Sequence, residues 1–318
     1  MHDLVKAFCL VGLLAFGTQA QAEDTQPGEN WHPSAYGADD ELGAINLLTD
    51  DMATNAAGLV KTGKVYGLGI ETGSQTPAFP PRGFKVYIVQ PDQQAGITMG
   101  PNKMTYNDDI VEGWFGVGTQ IDGLGHLGID HVYYNGHKVE DFAKPTGLTK
   151  LGVENIPPIV TRGVLLDMAA HFGVDIMEKG TAINSEDIKA AAKSQGVDIR
   201  KGDVVLLHTG WLNMLDQDPM EFASGAPGLG VDGAEYLASL GVVAIGGDST
   251  ALEVVPHEEG AGVYRVHQIL LAINGVYILE NIDSRALAKD KAWEFMFVLA
   301  APRVTGAVQM FVNPVAIR

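Results

Sequence analysis

Gln120, Asp122 and His126 bring an amide, a carboxylate and an imidazole close together in the chain. If residues 116–126 form a strand running into a glycine-rich loop, alternation places Gly116, Gly118, Gln120 and Asp122 on one face. Gly123 and Gly125 then permit a turn that returns His126 to the same side. The three polar groups would converge, which suits a metal site or an acid/base group. A second group lies far along the chain. His267 opens the apolar stretch 268–273, and Glu280 closes the apolar run 276–279. A helix, a turn at Asn274-Gly275 and a strand would bring His267 and Glu280 together. A carboxylate at the end of an apolar strand faces either solvent or a partner.

The elements that must position these residues alternate between strands and helices. Residues 64–70, 84–90, 163–167, 204–208, 242–246, 276–280, 295–300 and 307–312 read as strands. The stretches 163–167, 204–208 and 242–246 are short apolar runs, the first two ending on Asp167 and His208, and suit buried strands. Helices are expected at 50–60, 185–195 and 233–240. Asn184 or Ser185 would cap the second, with Gly196 beyond its end. Asp232 with Glu235 resembles a capping box for the third, closed by Gly241. Residues 72–83, rich in Pro and Gly, form a loop. The pattern predicts one α/β domain, a mixed sheet with flanking helices, spanning 23–318. No glycine-rich phosphate loop follows a strand, so no nucleotide cofactor is expected.

The first 22 residues read as a secretory signal. Lys6 precedes the apolar run 7–16, which is too short to span a bilayer, and Ala20-Gln21-Ala22 fits a cleavage site. The alternative is a buried N-terminal helix, against which stands the polar, loop-like stretch that follows at once. Cleavage would remove Cys9, the one cysteine of the 318 residues. A mature chain without thiols holds a metal only through nitrogen and oxygen. The expected location is outside the cytoplasm, in the periplasm. The net charge of −18 argues against nucleic acid and anionic membranes as partners, and no later segment is apolar enough to cross a membrane. A small-molecule substrate fits this profile.

The segment Gly116-Val117-Gly118-Thr119-Gln120-Ile121-Asp122-Gly123-Leu124-Gly125-His126 resembles the signature His-x-Gly-Thr-His-x-Asp-x-Pro-x-His. That signature marks the cyclase family of metal-dependent hydrolases, which includes bacterial kynurenine formamidase and isatin hydrolase. Residues 161–167, 202–207, 209–211, His267 with Glu280-Asn281, and the ending 313–316 are similar to family blocks in family order. Trp31 and residues 40–43 resemble the start of the longer members. The resemblance implies a swivelling β/β/α fold. It implies that Asp122, His267 and Glu280 are metal ligands and that His126 is the acid/base. Two motif histidines are replaced here, by Gly116 and Gln120, and the motif proline by Leu124. Gly116 leaves a hole about the size of an imidazole, and Gln120 offers a carbonyl oxygen, a weaker donor. A set of Gln120, Asp122, His267 and Glu280 is rich in oxygen and favours a harder ion. One Mn²⁺ or Zn²⁺ is expected, and relatives imply a homodimer or larger assembly.

The implied chemistry is hydrolysis of a small amide, cyclic amide or lactone by metal-activated water, with His126 moving the proton. Trp31 and Tyr134 are candidates to contact a ring-bearing substrate. The competing function is an exported small-ligand-binding protein on the same scaffold, its metal site lapsed with the lost histidines. Asp248 ends a strand and either orients His126 or His267 or forms an Asx turn. His131 and His137 flank a tyrosine-rich segment that is either a loop over the pocket or, the favoured reading, a plain turn, and Glu253 and His257 lie in a loop that either lines the pocket or, the favoured reading, is exposed. His32, His171 and His208 have no partner that the sequence names.

Overall fold

The short apolar runs in the middle of the chain lie side by side in one sheet. The computed structural model describes residues 31–91 and 96–318, so the expected signal segment lies outside the described residues. In chain order the strands that matter are β1 (Val65–Gly67), β2 (Phe84–Val89), β3 (Asp108–Gly113), β4 (Gln120–Asp122), β5 (Ile159–Asp167), β6 (Val204–His208), β7 (Ala244–Gly247), β8 (Tyr277–Glu280), β9 (Glu294–Leu299), β10 (Gln309–Phe311) and β11 (Val315–Ile317). Nine of them form a mixed sheet in the order β1-β11-β9-β5-β6-β7-β8-β4-β10. β5 to β8 run parallel, and the strands on either flank pair antiparallel. The fold is therefore mixed α/β.

Burial explains the sequence patterns. Every residue of β6, β7 and β8 is buried, as expected for central strands covered on both faces. β9 alternates between half-buried and buried positions. Helix α1 (Asp50–Ala57) packs on β5 and β9, and α2 (Ser185–Gln195) packs on β5 and on α3 (Val231–Ser239). The limits of α2 are local chemistry. The Asp187 carboxylate accepts the Asn184 N–H at 3.1 Å, and Gly196 stops the helix at φ 71°. Asp232 behaves differently from the expectation. It accepts the Ser185 N–H at 2.8 Å, so it caps the neighbouring helix, and Gly230 stands at the start of its own.

Two departures bear on the site. Residues 116–119 are not a strand; the strand is β4 alone, held between β8 and β10. In that register Gln120 lies opposite Glu280, and Asp122 lies opposite Gln309, so each pair shares a face. His267 also ends a short helical turn, 265–267, instead of opening the apolar stretch. The turn then widens, and the Asn274 N–H reaches Ile269 O, five residues back. Such widened turns are frequent at functional sites.

Candidate metal centre

Sheet order brings the two distant groups together. β4 carries Gln120 and Asp122, its neighbour β8 carries Glu280, and the turn before the wide helix delivers His267. One donor atom from each of Asp122, His267 and Glu280 lies within 4.8 Å of the others. All three side chains are buried. His267 Nε2 stands 3.5 Å from Glu280 Oε1 and 3.9 Å from Asp122 Oδ2, too far for strong hydrogen bonds.

The backbone around β4 is braced from several sides. Thr119 Oγ1 donates to Asn281 O at 2.6 Å and accepts the Ile70 N–H at 2.9 Å. Asn281 Nδ2 donates to Gly118 O at 2.9 Å. These contacts fix Gln120 and Asp122 against Glu280 before any ligand is considered.

The carboxylates are held asymmetrically. Asp122 Oδ1 accepts from Gln309 Nε2 at 2.7 Å and from Gln120 Nε2 at 3.3 Å. Asp122 Oδ2 is buried with no hydrogen-bond partner, and it faces His267 Nε2 and His126 Nε2, the latter at 3.8 Å. Gln120 Nε2 also donates to Glu280 Oε2 at 2.7 Å, while Gln120 Oε1 is buried without a partner. In this arrangement Gln120 bridges the two carboxylates through its NH₂ and does not turn its carbonyl oxygen toward them.

Behind His267 stands Glu253. It accepts the His267 backbone N–H at 3.1 Å and a short hydrogen bond from Nδ1. Of the two sequence readings of Glu253, exposed or lining the pocket, the favoured exposed one fails: it is buried. The Nδ1 contact leaves Nε2 aimed at Asp122 and Glu280. His257 Nδ1 lies 3.2 Å from the other Glu253 oxygen. Three carboxylates thus surround one buried imidazole. Burial opposes a charge on His267, but its hydrogen bond to Glu253 and the nearby Glu280 carboxylate outweigh that and push its pKa up to about 10. Burial, then the Asp122 charge, push Glu280 up to about 7. The cluster is an anionic, dehydrated place with unpaired oxygen, and that is the chemistry of a cation site. The residues present fit a divalent ion.

The hole expected at Gly116 is filled. A Cβ there would lie 2.8 Å from Gln309 Oε1 and 2.9 Å from Arg82 Nη1. Arg82 Nη1 donates to Gly116 O at 3.3 Å. The Arg82 charge is felt at Glu280, His126 and Tyr264. Arg82, Gly116, Thr250 and Asn281 line a small cavity beside the cluster, where Thr250 Oγ1 and Asn281 Oδ1 are buried without partners. His126 is largely buried, with 19 % of its side chain exposed; burial pushes its pKa below the ordinary histidine value.

Other expected residues fall elsewhere. Tyr134 is in the core and its hydroxyl donates to Asp40 at 2.6 Å, so it is a strut for the 34–46 loop and not a substrate contact. Trp31 packs edge-on against His32. Asp248 accepts from the Thr209 N–H and hydroxyl, and it orients neither His126 nor His267. Tyr264, which the sequence did not single out, packs edge-on against His267 at 5.3 Å.

The comparisons agree with this architecture. A solved structure described as a novel cyclase is 31 % identical, superposes with a TM-score of 0.80, and covers 89 % of this chain and 98 % of its own. An isatin hydrolase bound to the product analogue thioisatinate is 17 % identical, with a TM-score of 0.59 over 85 % of this chain and 98 % of its own. Isatin hydrolase A from Ralstonia solanacearum is 18 % identical, with a TM-score of 0.60 over 84 % of this chain and 95 % of its own. The last two likenesses are of fold. Among curated proteins none matches. The family model described as "Putative cyclase" matches residues 66–254, and the chain belongs to that cyclase family.

Proposed function

We propose that the protein is a metal-dependent hydrolase acting on a small amide, cyclic amide or lactone. The observation that carries the reading is Asp122 Oδ2, a buried carboxylate oxygen without a hydrogen bond that faces two imidazole nitrogens and shares its pocket with Glu280. Asp122, His267 and Glu280 would hold one divalent ion, Mn²⁺ or Zn²⁺. Such an ion lowers the pKa of water and polarises a carbonyl. Gln120 joins the set only if its amide turns over, because here it presents N–H groups.

The chain's own residues supply the rest. Gln309 and Gln120 fix Asp122 through Oδ1 and leave Oδ2 free. Glu253 fixes the tautomer and direction of His267, as carboxylate partners of metal-binding histidines do. His126 is neutral near pH 7 because burial lowers its pKa, so its ring can take a proton from water and return it to the leaving group. Arg82, Thr250 and Asn281 offer a cation, a hydroxyl and an acceptor to the polar groups of a substrate. The isatin hydrolases of similar fold support a cyclic amide as the first substrate to try. Export to the periplasm belongs to this reading and rests on residues 1–22.

Glu253→Gln is expected to weaken metal binding by about 10–100-fold, measured by competition against a chromophoric chelator, with the far-UV spectrum unchanged. Unaltered affinity would remove Glu253 from the positioning role. The function itself is tested by turnover of lactones, cyclic amides, linear amides and esters with and without chelator. Chelator-sensitive hydrolysis of at least one class is expected. One observation favours the second reading, a small-ligand-binding protein: the Gln120 NH₂ already bridges Asp122 and Glu280, as a metal-free pocket requires. Ligand binding without turnover, indifferent to chelator, would select it.

A further inference from the structure

Arg82 stands beside the acidic cluster without joining it. Arg162, Arg200 and Arg285 each pair with a carboxylate. Among the described residues Arg82 has no such partner, and its hydrogen bond is to Gly116 O. It nonetheless reaches the centre, because its charge is felt at Glu280 and His126. Any side chain at position 116 would have to displace the ends of Arg82 and Gln309, so Arg82 stands where the motif places a histidine. The small cavity that Arg82 lines is also walled by Pro77, Ala78 and Phe79, and by Thr250 and Asn281. The last two are 7 % and 5 % exposed, yet Thr250 Oγ1 and Asn281 Oδ1 have no hydrogen-bond partner. Buried polar atoms in that state cost stability. Two of them beside an unpaired cation point to a ligand.

We infer that this pocket reads a carboxylate on the substrate, and that the substrate class is an amide, linear or cyclic, whose N–H lies next to that carboxylate. The reaction itself rests on the hydrolase reading; the class rests on Arg82, Thr250 and Asn281. A guanidinium fork matches a carboxylate, and the Thr250 hydroxyl is a further donor to the same group. Asn281 Nδ2 is already used on Gly118 O at 2.9 Å, which leaves Oδ1 to accept the neighbouring N–H. An ester or lactone has no N–H to offer there, and its oxygen would leave Oδ1 unpaired. The anion is a monoanion and not a phosphate. One cation serves the pocket, and the nearby Asp122 and Glu280 carboxylates oppose a second negative charge.

The test is calorimetric binding to the purified full chain after chelator treatment and dialysis, so that neither a metal–carboxylate bond nor turnover contributes. The probes are N-benzoylglycine, its neutral analogue N-benzoylglycinamide, and the ester analogue benzoyloxyacetate. N-Benzoylglycine is expected to bind about 10–100-fold more tightly than either of the others. Arg82→Gln should erase its advantage over the glycinamide, and Arg82→Lys, which keeps the charge but not the fork, should retain part of it. Thr250→Val, nearly isosteric, should weaken N-benzoylglycine binding by about tenfold with far-UV circular dichroism unchanged. An acid and a neutral amide that bind alike would overturn the inference. So would a preference that survives Arg82→Gln, or an ester bound as tightly as the amide. Turnover of the same probes with metal restored is read separately. Selective binding without hydrolysis would remove the hydrolase reading and keep the pocket. Hydrolysis indifferent to the carboxylate would keep the hydrolase reading and overturn the inference.

Discussion

Asp122→Asn should give a folded protein that no longer retains its metal and no longer turns over substrate. The change is isosteric. The retained Oδ1 still accepts from Gln309 and Gln120, so the β4–β10 contact survives. What is lost is the charge and the lone pairs of Oδ2, the buried oxygen without a partner. In its place an NH₂ faces His267 and His126. The affinity for a divalent ion should fall by more than about 100-fold, beyond the loss typical of a residue that only supports a ligand. Equilibrium dialysis with metal analysis measures it, and circular dichroism checks the fold. An Asp122→Asn protein that binds metal as tightly as wild type would show that the ion, if bound, sits elsewhere.

The second large effect is at His126. His126→Ala should lower kcat by about 10²–10⁴-fold, the usual contribution of a positioned acid/base, with metal content unaltered. The two variants therefore separate binding from proton transfer. His126 is 3.8 Å from Asp122 Oδ2 and 3.5 Å from Gln309 Nε2, and its side chain, unlike that of His267, is partly open. That access is what a group exchanging protons with water requires. A His126→Ala enzyme with near-normal rate would take His126 out of the chemistry, whatever the ion does.

Much of the frame was legible because its signals are local. The limits of α2 follow from Asn184, Asp187 and Gly196, which act within a few residues of the helix ends. β6 was readable because the apolar, β-branched run 204–207 is too short for a helix and is flanked by Gly202 and Gly210. The expected ligands Asp122, His267 and Glu280 do converge. What stayed hidden depends on neighbours that the chain order does not announce. Gln309 reaches Asp122 only because β10 is the strand beside β4. Arg82 reaches Gly116 from a loop more than thirty residues away. Glu253 looked exposed because its segment has no periodicity, yet it is folded beneath His267. Asp232 carried a correct signal for the wrong helix, since a carboxylate near one helix start can cap another that packs beside it. β3 was missed because its acids break the apolar pattern, and its exposure makes the reason plain: no core selects its side chains.

The most direct test of the account is the metal content of the purified wild-type chain, measured by mass spectrometry of the elements after dialysis against metal-free buffer. One divalent ion per chain is predicted, Mn²⁺ or Zn²⁺, removable by chelator together with hydrolytic turnover and absent from Asp122→Asn. A wild-type chain that carries no divalent ion, takes up none on incubation, and is unchanged by chelator would contradict it.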